Sequence, residues 1–454
     1  MKGIMQNDSS NTSAAVSRRQ FIRRSSLAAA SAAAVVNFPA ILHAQAKKPI
    51  NAIIIGLGGR GSGAGRDFTE AASALGVEAK IVAVADMFPE KAASGTKNFG
   101  VPADKCFSGF DAYQKALEVP GVNYAILATP PGFRAFHFKA CVEAGKNIFT
   151  EKPVAVDGPS ARVMYAAAEL SKQKGLKVAA GTQRRHRPSY IETIKRIHDG
   201  AIGDVTALRA YWVNGGPIWH RTEEEARATT ELEKQVRNWY HYIWLCGDHI
   251  CEQHVHNIDV CNWVMGGPPV KAWGMGARQM LDVDKKSGEI WDNFAIEFQY
   301  ANGVRLHAYC GQVKRDWSSV SEAVVGSKGT SELYDGRNSI RPNGGTLWRP
   351  TGIKEDNGYV NEHRDLITAI LQDKELNEAK QVTDSTLTAI MGREAAYSGA
   401  EVEWDAILNS KFAYGPELLY SNPAQMSWGA FRTLKPPLPN QHSVIKEPPV
   451  VPTA

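Results

Sequence analysis

The sequence is poor in cysteine, with six residues among 454, scattered between Cys106 and Cys310. Thiols so few and so far apart do not form a disulfide framework, which excludes the class of small disulfide-rich domains. The chain also has little excess charge. Residues 1–46 hold five basic residues and one acidic residue, so the formal net charge falls from +5 to +1 without them. This balance predicts neither a nucleic acid nor an anionic membrane as partner.

The N-terminal apolar stretch, residues 27–42, is interrupted by serine, asparagine and proline, which argues against a permanent membrane anchor. It follows Ser17–Arg23, a segment of twin-arginine form, and it precedes a small-residue cleavage site at Ala44–Ala46. These three parts in order predict that residues 1–46 are a twin-arginine signal peptide. The mature chain is therefore expected to begin at Lys47 and to be exported, for example to the periplasm.

Tryptophan is absent from the first 200 residues, and all eleven lie beyond them. This change in composition accompanies a change in pattern near residue 181, which predicts a domain boundary. We expect a dinucleotide-binding domain over residues 47–180 and a substrate and oligomerisation domain over 181–435. Residues 436–454 are rich in proline and predict an irregular tail.

An isoleucine-rich segment, Ile50–Ile55, predicts a buried strand that breaks directly into glycines at the G-x-G-x-x-G spacing. In this arrangement Gly56 permits a tight turn, and Gly58 lets the backbone approach a pyrophosphate. Gly61 lets the next helix lie close to the strand, and the N-terminus of that helix offers N–H groups to phosphates. The segment therefore predicts a dinucleotide-binding turn.

A second apolar strand, residues 80–85, ends at Asp86, close to the separation expected for the acid that binds the adenosine ribose. Its carboxylate would accept hydrogen bonds from the ribose hydroxyls and repel a 2′-phosphate, so NAD is the predicted cofactor. Arg60, inside the glycine turn, leaves NADP as the less favoured alternative.

Strands and helices alternate from residue 50 to residue 181, which predicts a Rossmann-type, doubly wound parallel sheet. Beyond it, segments such as Val205–Val213 and Asn293–Tyr300 have the alternating pattern of strands with one buried face. They predict a C-terminal α+β domain built on a largely antiparallel open sheet. The polar segment Arg221–Arg237 is expected to form a loop or short helix over the site.

The glycine turn, Thr129-Pro130, Glu151-Lys152-Pro153 and a later His-x-x-Asp together resemble the Gfo/Idh/MocA family. This family comprises glucose–fructose oxidoreductases, inositol dehydrogenases and rhizopine-catabolism proteins. The resemblance implies an NAD(P)-dependent enzyme whose motif lysine, Lys152 here, reaches the nicotinamide ribose and the reacting hydroxyl. The predicted cofactor-binding residues are Gly56, Gly58, Gly59, Arg60, Gly61, Asp86, Thr129, Pro130, Glu151 and Lys152.

Glu252, His256 and Asp259 are spaced four and three residues apart, so on a helix they share one face. The resemblance maps His256 onto the acid/base at the reacting carbon, with an imidazole pKa near the working pH. Asp259 maps onto a group that orients the substrate or the histidine. Family members carry Asp and Gly where this chain has Glu252 and His254, which alters the pocket. Lys152, His256 and Glu252 are the predicted catalytic residues.

The segment Gly181–His186 is similar to a family stretch that faces the cleft, so Arg185 and His186 are predicted, with Asp259, to bind substrate. A solvated basic turn is the alternative. The region from Cys246 to Asp259 is dense in potential metal ligands, but its Cys-x2-His-x-Cys spacing does not match the usual zinc sites. No metal is predicted.

These features predict an exported oxidoreductase that transfers hydride between a sugar or sugar-derivative hydroxyl and a tightly bound nicotinamide cofactor. Little free NAD is available outside the cytosol, so a cofactor carried out with the protein should be regenerated within each catalytic cycle. One alternative is an NAD-dependent, redox-neutral glycosidase that acts through a transient keto-sugar and elimination. A second is a non-catalytic sugar-binding protein with a structural cofactor. The resemblance also implies a homodimer or homotetramer, because open sheets in this family often pair.

Overall fold

The computed structural model describes residues 49–214, 227–283, 288–313, 317–354 and 356–445. The predicted signal peptide therefore lies outside the described residues, as do residues 221–226 of the predicted polar segment. The described chain belongs to one compact unit that begins at Pro49, so the predicted boundary near residue 181 stays a prediction. Among these residues, no helix has the length and apolar character needed to cross a bilayer.

The first sheet contains six parallel strands in the order β3-β2-β1-β4-β5-β6. The strands are β1 (Ile50–Ile55), β2 (Ala79–Asp86), β3 (Cys106–Ser108), β4 (Tyr124–Leu127), β5 (Asn147–Thr150) and β6 (Val178–Ala180). The helices between them are α1 (Gly59–Ala74), α2 (Pro89–Phe99), α3 (Ala112–Leu117), α4 (Pro131–Glu143) and α5 (Gly158–Gln173). The strand order reverses beside β1, and open α/β sheets bind ligands at such a switch point. The predicted doubly wound sheet is confirmed.

The apolar character of β1 follows from its position at the centre of this sheet. Ile53 and Ile54 are fully buried, one on each face, because helices cover both sides. Burying such a side chain stabilises the fold by about 1.5–3 kcal/mol. The centre of the sheet is thus rigid, and it presents the carboxyl ends of β1, β4 and β5 side by side.

The second sheet has eight strands in the order β13-β12-β11-β7-β10-β9-β8-β14. They are β7 (Val205–Val213), β8 (Lys271–Ala277), β9 (Asn293–Gln299), β10 (Arg305–Gly311), β11 (Ser319–Gly326), β12 (Gly329–Leu333), β13 (Ser339–Pro342) and β14 (Val402–Glu403). All neighbouring strands are antiparallel except β7 and β10, which are parallel. The predicted α+β architecture with a largely antiparallel open sheet is confirmed.

The described helices of the second half pack against both sheets, and the one over residues 358–372 lies on the first sheet. They are α6 (Pro188–His198), α7 (Glu231–Arg237), α8 (Ile243–Cys246), α9 (Val255–Met265), α10 (Met280–Val283), α11 (Gly358–Gln372), α12 (Ala379–Ser398), α13 (Trp404–Asn409) and α14 (Glu417–Ser421). Helix α12 is buried along most of its length because it packs against α5 on one side and against β8 and β9 on the other. Helix α12 therefore contributes to two apolar clusters, with Ala379 and Val382 in one and Leu387 and Ile390 in the other.

Candidate active site

A cavity of about 600 Å³ lies at the carboxyl edge of the first sheet. Its wall contains residues from both halves of the chain, including nine of the ten predicted cofactor-binding residues. Gly61 is the exception. The three predicted catalytic residues, Lys152, Glu252 and His256, line the same cavity. All of the predicted cofactor-binding and catalytic residues except Gly61 therefore line one cavity.

The glycine turn has the geometry that its spacing predicts. Gly56 has φ +97°, and a β-carbon there would lie 2.7 Å from the backbone of Ala128. Gly61 does not reach the cavity, because it packs behind the turn, where a β-carbon would lie 1.8 Å from the Gly56 carbonyl oxygen. By contrast, β-carbons at Gly58 and Gly59 would meet no atom within 4 Å. The turn thus leaves open space in front of the N-terminus of α1, where a pyrophosphate would fit.

Asp86 lies at the end of β2 and lines the cavity. Its Oδ2 accepts a hydrogen bond from Leu57 N at 2.7 Å, and its Oδ1 accepts one from Phe88 N at 3.0 Å. Burial raises the pKa of this carboxyl. The two backbone N–H groups hold the carboxylate in place, and each oxygen keeps further acceptor capacity.

Arg60 points away from Asp86. Its Nε donates to Glu151, its Nη1 donates to Asp67 at 2.9 Å, and Glu362 lies 3.6 Å from Nη2. Glu151 follows β5, which is three strands away from β2 in the sheet. The guanidinium is thus held on the β5 side of the switch point by three carboxylates.

Lys152 and Glu252 form a buried ion pair across the cavity. The Lys152 Nζ lies 3.2 Å from Glu252 Oε1 and also donates to the Glu252 backbone oxygen. Burial raises the pKa of the Glu252 carboxyl, while the charges of Lys152 and Arg134 oppose the shift. Glu252 lies in a π-helical turn, Ile250–His254, immediately before α9. The pair joins the loop after β5 to the second half of the chain.

His256 lies in the first turn of α9 with its imidazole in the cavity wall. Burial lowers the pKa of this imidazole well below its ordinary value, and the cations Lys152, Arg184 and Arg60 lower it further. The predicted pKa near the working pH is therefore wrong, because the sequence did not show how completely the ring is buried. His256 is neutral at neutral pH.

Arg185, His186 and Asp259 do not line the cavity, and their role in substrate binding stays a prediction. Asp259 accepts from Arg185 Nε at 2.8 Å and from Ser385 Oγ at 2.8 Å. His186 lies between Asp365 and Glu378, whose carboxylates outweigh burial and raise the pKa of its imidazole. These are internal ion pairs that fasten the turn after β6. From the segment after β6, Gly181, Gln183 and Arg184 line the cavity.

Sequence reasoning missed Arg134, a buried arginine on α4 that lines the cavity. Its Nη1 donates to the Pro153 carbonyl at 2.5 Å, and its Nη2 donates to the Thr129 carbonyl. It thereby ties the loop after β4 to the loop that carries Lys152. Only its early position in α4, directly after Thr129-Pro130, was visible in the sequence.

The cavity wall near Asp86 is backed by residues distant in sequence. Phe88 stacks on Trp428 with ring centroids 5.3 Å apart. The same ring also contacts Arg237, whose guanidinium lies 4.1 Å from the ring centroid. Val236 and Trp239, from α7 and the turn after it, line the cavity directly. The helix expected between residues 221 and 237 is thus present as α7, and its last residues lie against the site.

Among the described residues, no group of three or more histidine, cysteine, aspartate or glutamate side chains is arranged to hold a metal ion. His254 is fully buried and does not line the cavity. Burial lowers the pKa of its imidazole to about 3. Of these two histidines, His256 is therefore the one that lines the cavity.

A parallel sheet with a glycine turn, an acid at the end of β2 and a cavity shared with an open-sheet half defines a two-part, dinucleotide-binding oxidoreductase fold. Two family models place it more narrowly. Residues 50–182 match the oxidoreductase family with an NAD-binding Rossmann fold, and residues 190–332 match the GFO/IDH/MocA C-terminal domain. The chain belongs to the Gfo/Idh/MocA family.

Relatives and solved structures agree with this assignment. The chain is 28% identical to inositol 2-dehydrogenase 3 of Saccharopolyspora erythraea over 62% of its own length and 74% of the relative's. It is 26% identical to inositol 2-dehydrogenase of Rhizobium meliloti over 50% of its length, and this match spans only 59% of that enzyme. A levoglucosan dehydrogenase structure, in complex with NADH and levoglucosan, superposes with a TM-score of 0.64 at 17% identity, covering 78% of this chain and 99% of the other. The aldose–aldose oxidoreductase of Caulobacter crescentus gives a TM-score of 0.61 at 19% identity, with the same coverage. At these identities the structures show the fold alone.

Proposed function

We propose that the protein is an NAD-dependent oxidoreductase that transfers hydride between a hydroxyl of a sugar or sugar derivative and a tightly bound cofactor. The observation that carries this proposal is the convergence of Lys152, Glu252 and His256 on the cavity that also contains the glycine turn and Asp86. The names of the relatives support the substrate class, since they include inositol and levoglucosan dehydrogenases.

The dinucleotide would lie between the glycine turn and Asp86 at one end and Lys152 at the other. Bound NAD supplies the hydride acceptor. Its fit is supported by the empty space in front of Gly58 and Gly59 and by the orientation of the Asp86 carboxylate. The direction of Arg60 toward Glu151 favours NAD over NADP.

The residues of the chain divide the proton chemistry between them. His256 is neutral, and its Nδ1 is buried, which leaves Nε2 facing the cavity as the acceptor of the hydroxyl proton. The Lys152 ammonium stabilises the negative charge that develops on the oxygen as the proton leaves. Glu252 holds Lys152 in place through their ion pair. As the proton passes to His256, the electron pair of the oxygen–hydrogen bond would form the carbonyl bond, and the hydrogen on carbon would leave with its electron pair as hydride, for which bound NAD would be the acceptor.

Tight retention of the cofactor is supported by the packing around Phe88, which lines the cavity beside Asp86. Phe88, which follows Asp86 by two residues, is covered by Trp428 and Arg237. An adenosine bound at Asp86 would therefore leave only after these side chains move, which slows dissociation.

The test uses the purified protein with no cofactor added. Its absorbance in the reduced-nicotinamide band is followed while a panel of sugars, inositols and aryl glycosides is added, and the products are identified. A band that rises and stays supports a dehydrogenase that awaits a second substrate. If no cofactor is present in the denatured supernatant, and none restores activity when supplied, the proposal is wrong.

The glycosidase stays a second candidate because Glu252 places a second titratable group beside Lys152. Burial raises the pKa of its carboxyl and so brings that pKa closer to the working pH. A carboxyl of this kind is suited to protonate a leaving group. Released aglycone without a lasting reduced band would identify this reaction. Sugar binding with neither product would instead identify a non-catalytic sugar-binding protein.

The state of His256 predicts the pH dependence of the reaction. A base whose pKa is lowered stays deprotonated, and hence active, as the pH falls through 6.5, where an ordinary histidine becomes protonated. We expect the pH profile of kcat/KM for oxidation to show no ionisation of His256 near pH 6.5. The value of kcat/KM should stay constant to a pH well below 6.5. An acidic limb centred at about 6.5 that disappears in His256→Gln would contradict this assignment.

We propose that the protein forms a homodimer or homotetramer through the outer face of the second sheet. Register places Met275, Ala295, Tyr309 and Tyr211 in one row across β8, β9, β10 and β7. Met275 is 73% exposed and Trp317, which contacts Tyr211, is 57% exposed. An exposed apolar surface of this kind is typical of a protein interface.

The oligomer is tested by light scattering after size-exclusion chromatography. Met275→Glu and Tyr309→Glu should each shift the protein toward the monomer, because a buried unpaired charge opposes association. Leu418→Glu, an exposed site on α14, is the control and should leave the mass unchanged. A monomeric wild-type protein at micromolar concentration would overturn the proposal.

We also propose export by the twin-arginine route, which the sequence of residues 17–46 supports. Arg18→Lys combined with Arg19→Lys should retain the protein in the cytoplasm, as measured by fractionation and immunoblotting. Unchanged export of this double variant would contradict the proposal.

A further inference from the structure

Trp212 is the last inward-pointing residue of β7 before the strand ends. It continues the row of Leu208 and Ala210, which are fully buried beneath the helical layer, because residues two apart share one face of a strand. Its register partners are Cys310 on β10 and Val320 on β11, and Val320 also lines the cavity. The indole therefore enters the cavity wall from a rigid central strand.

The indole lies against the imidazole of His256. The two ring centroids are 5.7 Å apart and the ring planes differ by 23°, which is an offset stack. The Nδ1 atom of His256 is buried, and it has no hydrogen-bond partner among the described residues. This differs from the usual arrangement, in which a carboxylate or carbonyl bonds the second nitrogen and fixes the orientation of the ring.

Packing must then fix the ring where no hydrogen bond does. Proton transfer needs an acceptor held within hydrogen-bond reach of the substrate hydroxyl, and a free χ2 rotation would move Nε2 away from it. We propose that Trp212 is the positioning residue for His256, which it holds by stacking so that Nε2 faces the substrate. This inference rests on the proposed function.

The same contact excludes water from one face of the imidazole. The charged groups around the ring are Lys152 after β5, Arg184 after β6, Arg60 on α1, and Glu252 in the turn before α9. Three of these four are cations, and with burial they keep His256 neutral. Removing the indole admits water to the ring and weakens the burial contribution, so a leucine at this position should raise the imidazole pKa toward 6.5.

The test compares Trp212→Leu with Trp212→Phe, which keeps an aromatic face. Trp348→Leu is the matched tryptophan control, because Trp348 packs against Arg196 on α6 and does not line the cavity. We expect Trp212→Leu to lower kcat at least tenfold with a smaller change in KM, and to move the acidic limb of the pH profile upward. Trp212→Phe should recover most of kcat, and Trp348→Leu should match the wild type. A rise in KM alone would show that Trp212 is a substrate platform instead, and would overturn the proposal.

A second readout does not depend on turnover. The His256 ring is titrated by NMR in protein labelled at histidine, with His256→Gln used to assign its signal. A higher imidazole pKa in Trp212→Leu than in the wild type supports the proposal even if no sugar is oxidised, in which case the proposed function alone fails. An unchanged titration in a folded Trp212→Leu protein would show that the stack does not control His256.

Discussion

Replacing Lys152 with methionine is expected to lower kcat by about 10²- to 10⁴-fold, the range typical of a lost proton-transfer or charge-stabilising group. The reason is geometric, since the Lys152 ammonium is buried in the cavity and is held there by Glu252. The cofactor should stay bound, because the glycine turn and Asp86 are untouched. Stopped-flow measurement of hydride transfer, together with the nicotinamide content of the purified variant, checks both parts.

Lys139→Met is the matched control for this variant. Lys139 lies on α4, is half exposed, and pairs only with Glu143 on the same helix. It should retain wild-type kcat, because an exposed pair of this kind contributes little. If Lys152→Met kept kcat within threefold of the wild type while folding normally, the assignment of Lys152 to the chemistry would be wrong.

The second large effect is expected from alanine at Gly61. A β-carbon there would lie 1.8 Å from the Gly56 carbonyl oxygen, and a backbone atom cannot rotate away as a side chain does. Overpacking of this kind costs about 1–3 kcal/mol even where neighbours can adjust, so the free energy of unfolding should fall by at least that amount. Chemical denaturation of the cofactor-free protein measures it.

Gly58→Ala should separate cofactor binding from folding. Gly58 has φ −69°, which alanine adopts readily, and its β-carbon would meet no protein atom within 4 Å. We expect the stability of the cofactor-free protein to change by no more than about 0.5 kcal/mol. Dinucleotide affinity should nonetheless fall tenfold or more, because the methyl group occupies the space in front of α1. If Gly58→Ala and Gly61→Ala lost the same amount of stability, the space at Gly58 would not be a ligand site.

Local spacing was enough to predict the cofactor end of the site. The glycine turn, Asp86 and Lys152 each follow directly from the end of a strand, so their positions are set by the parallel sheet alone. Glu252 and His256 are separated by about one helical turn, so local helix geometry alone predicts that they share a face. Asp259 shares that spacing, yet its carboxylate accepts hydrogen bonds from Arg185 and Ser385. These partners come from other elements of the fold, so the spacing within the helix does not predict them.

The parts that sequence could not predict come from long-range packing. Arg134, Trp212 and Trp428 belong to no local pattern, and each acquires its role from contacts outside its own element, which for Trp428 is with a residue far away in the chain. The neutral state of His256 is a further example. Its pKa depends on burial and on three cations contributed by three separate elements, none of which its own helix reveals.

The closure of Phe88 by Trp428 has a consequence for how the protein unfolds. These two residues are 340 positions apart, so the ligand site is complete only when the beginning and the end of the described chain are both in place. A ligand that binds only this assembled state stabilises every part of it at once, by an amount that grows with the logarithm of its concentration over its dissociation constant. NAD bound in this cavity therefore acts as a thermodynamic coupling between the two sheets. We expect a single cooperative thermal transition in the loaded protein, at a temperature that reports cofactor occupancy.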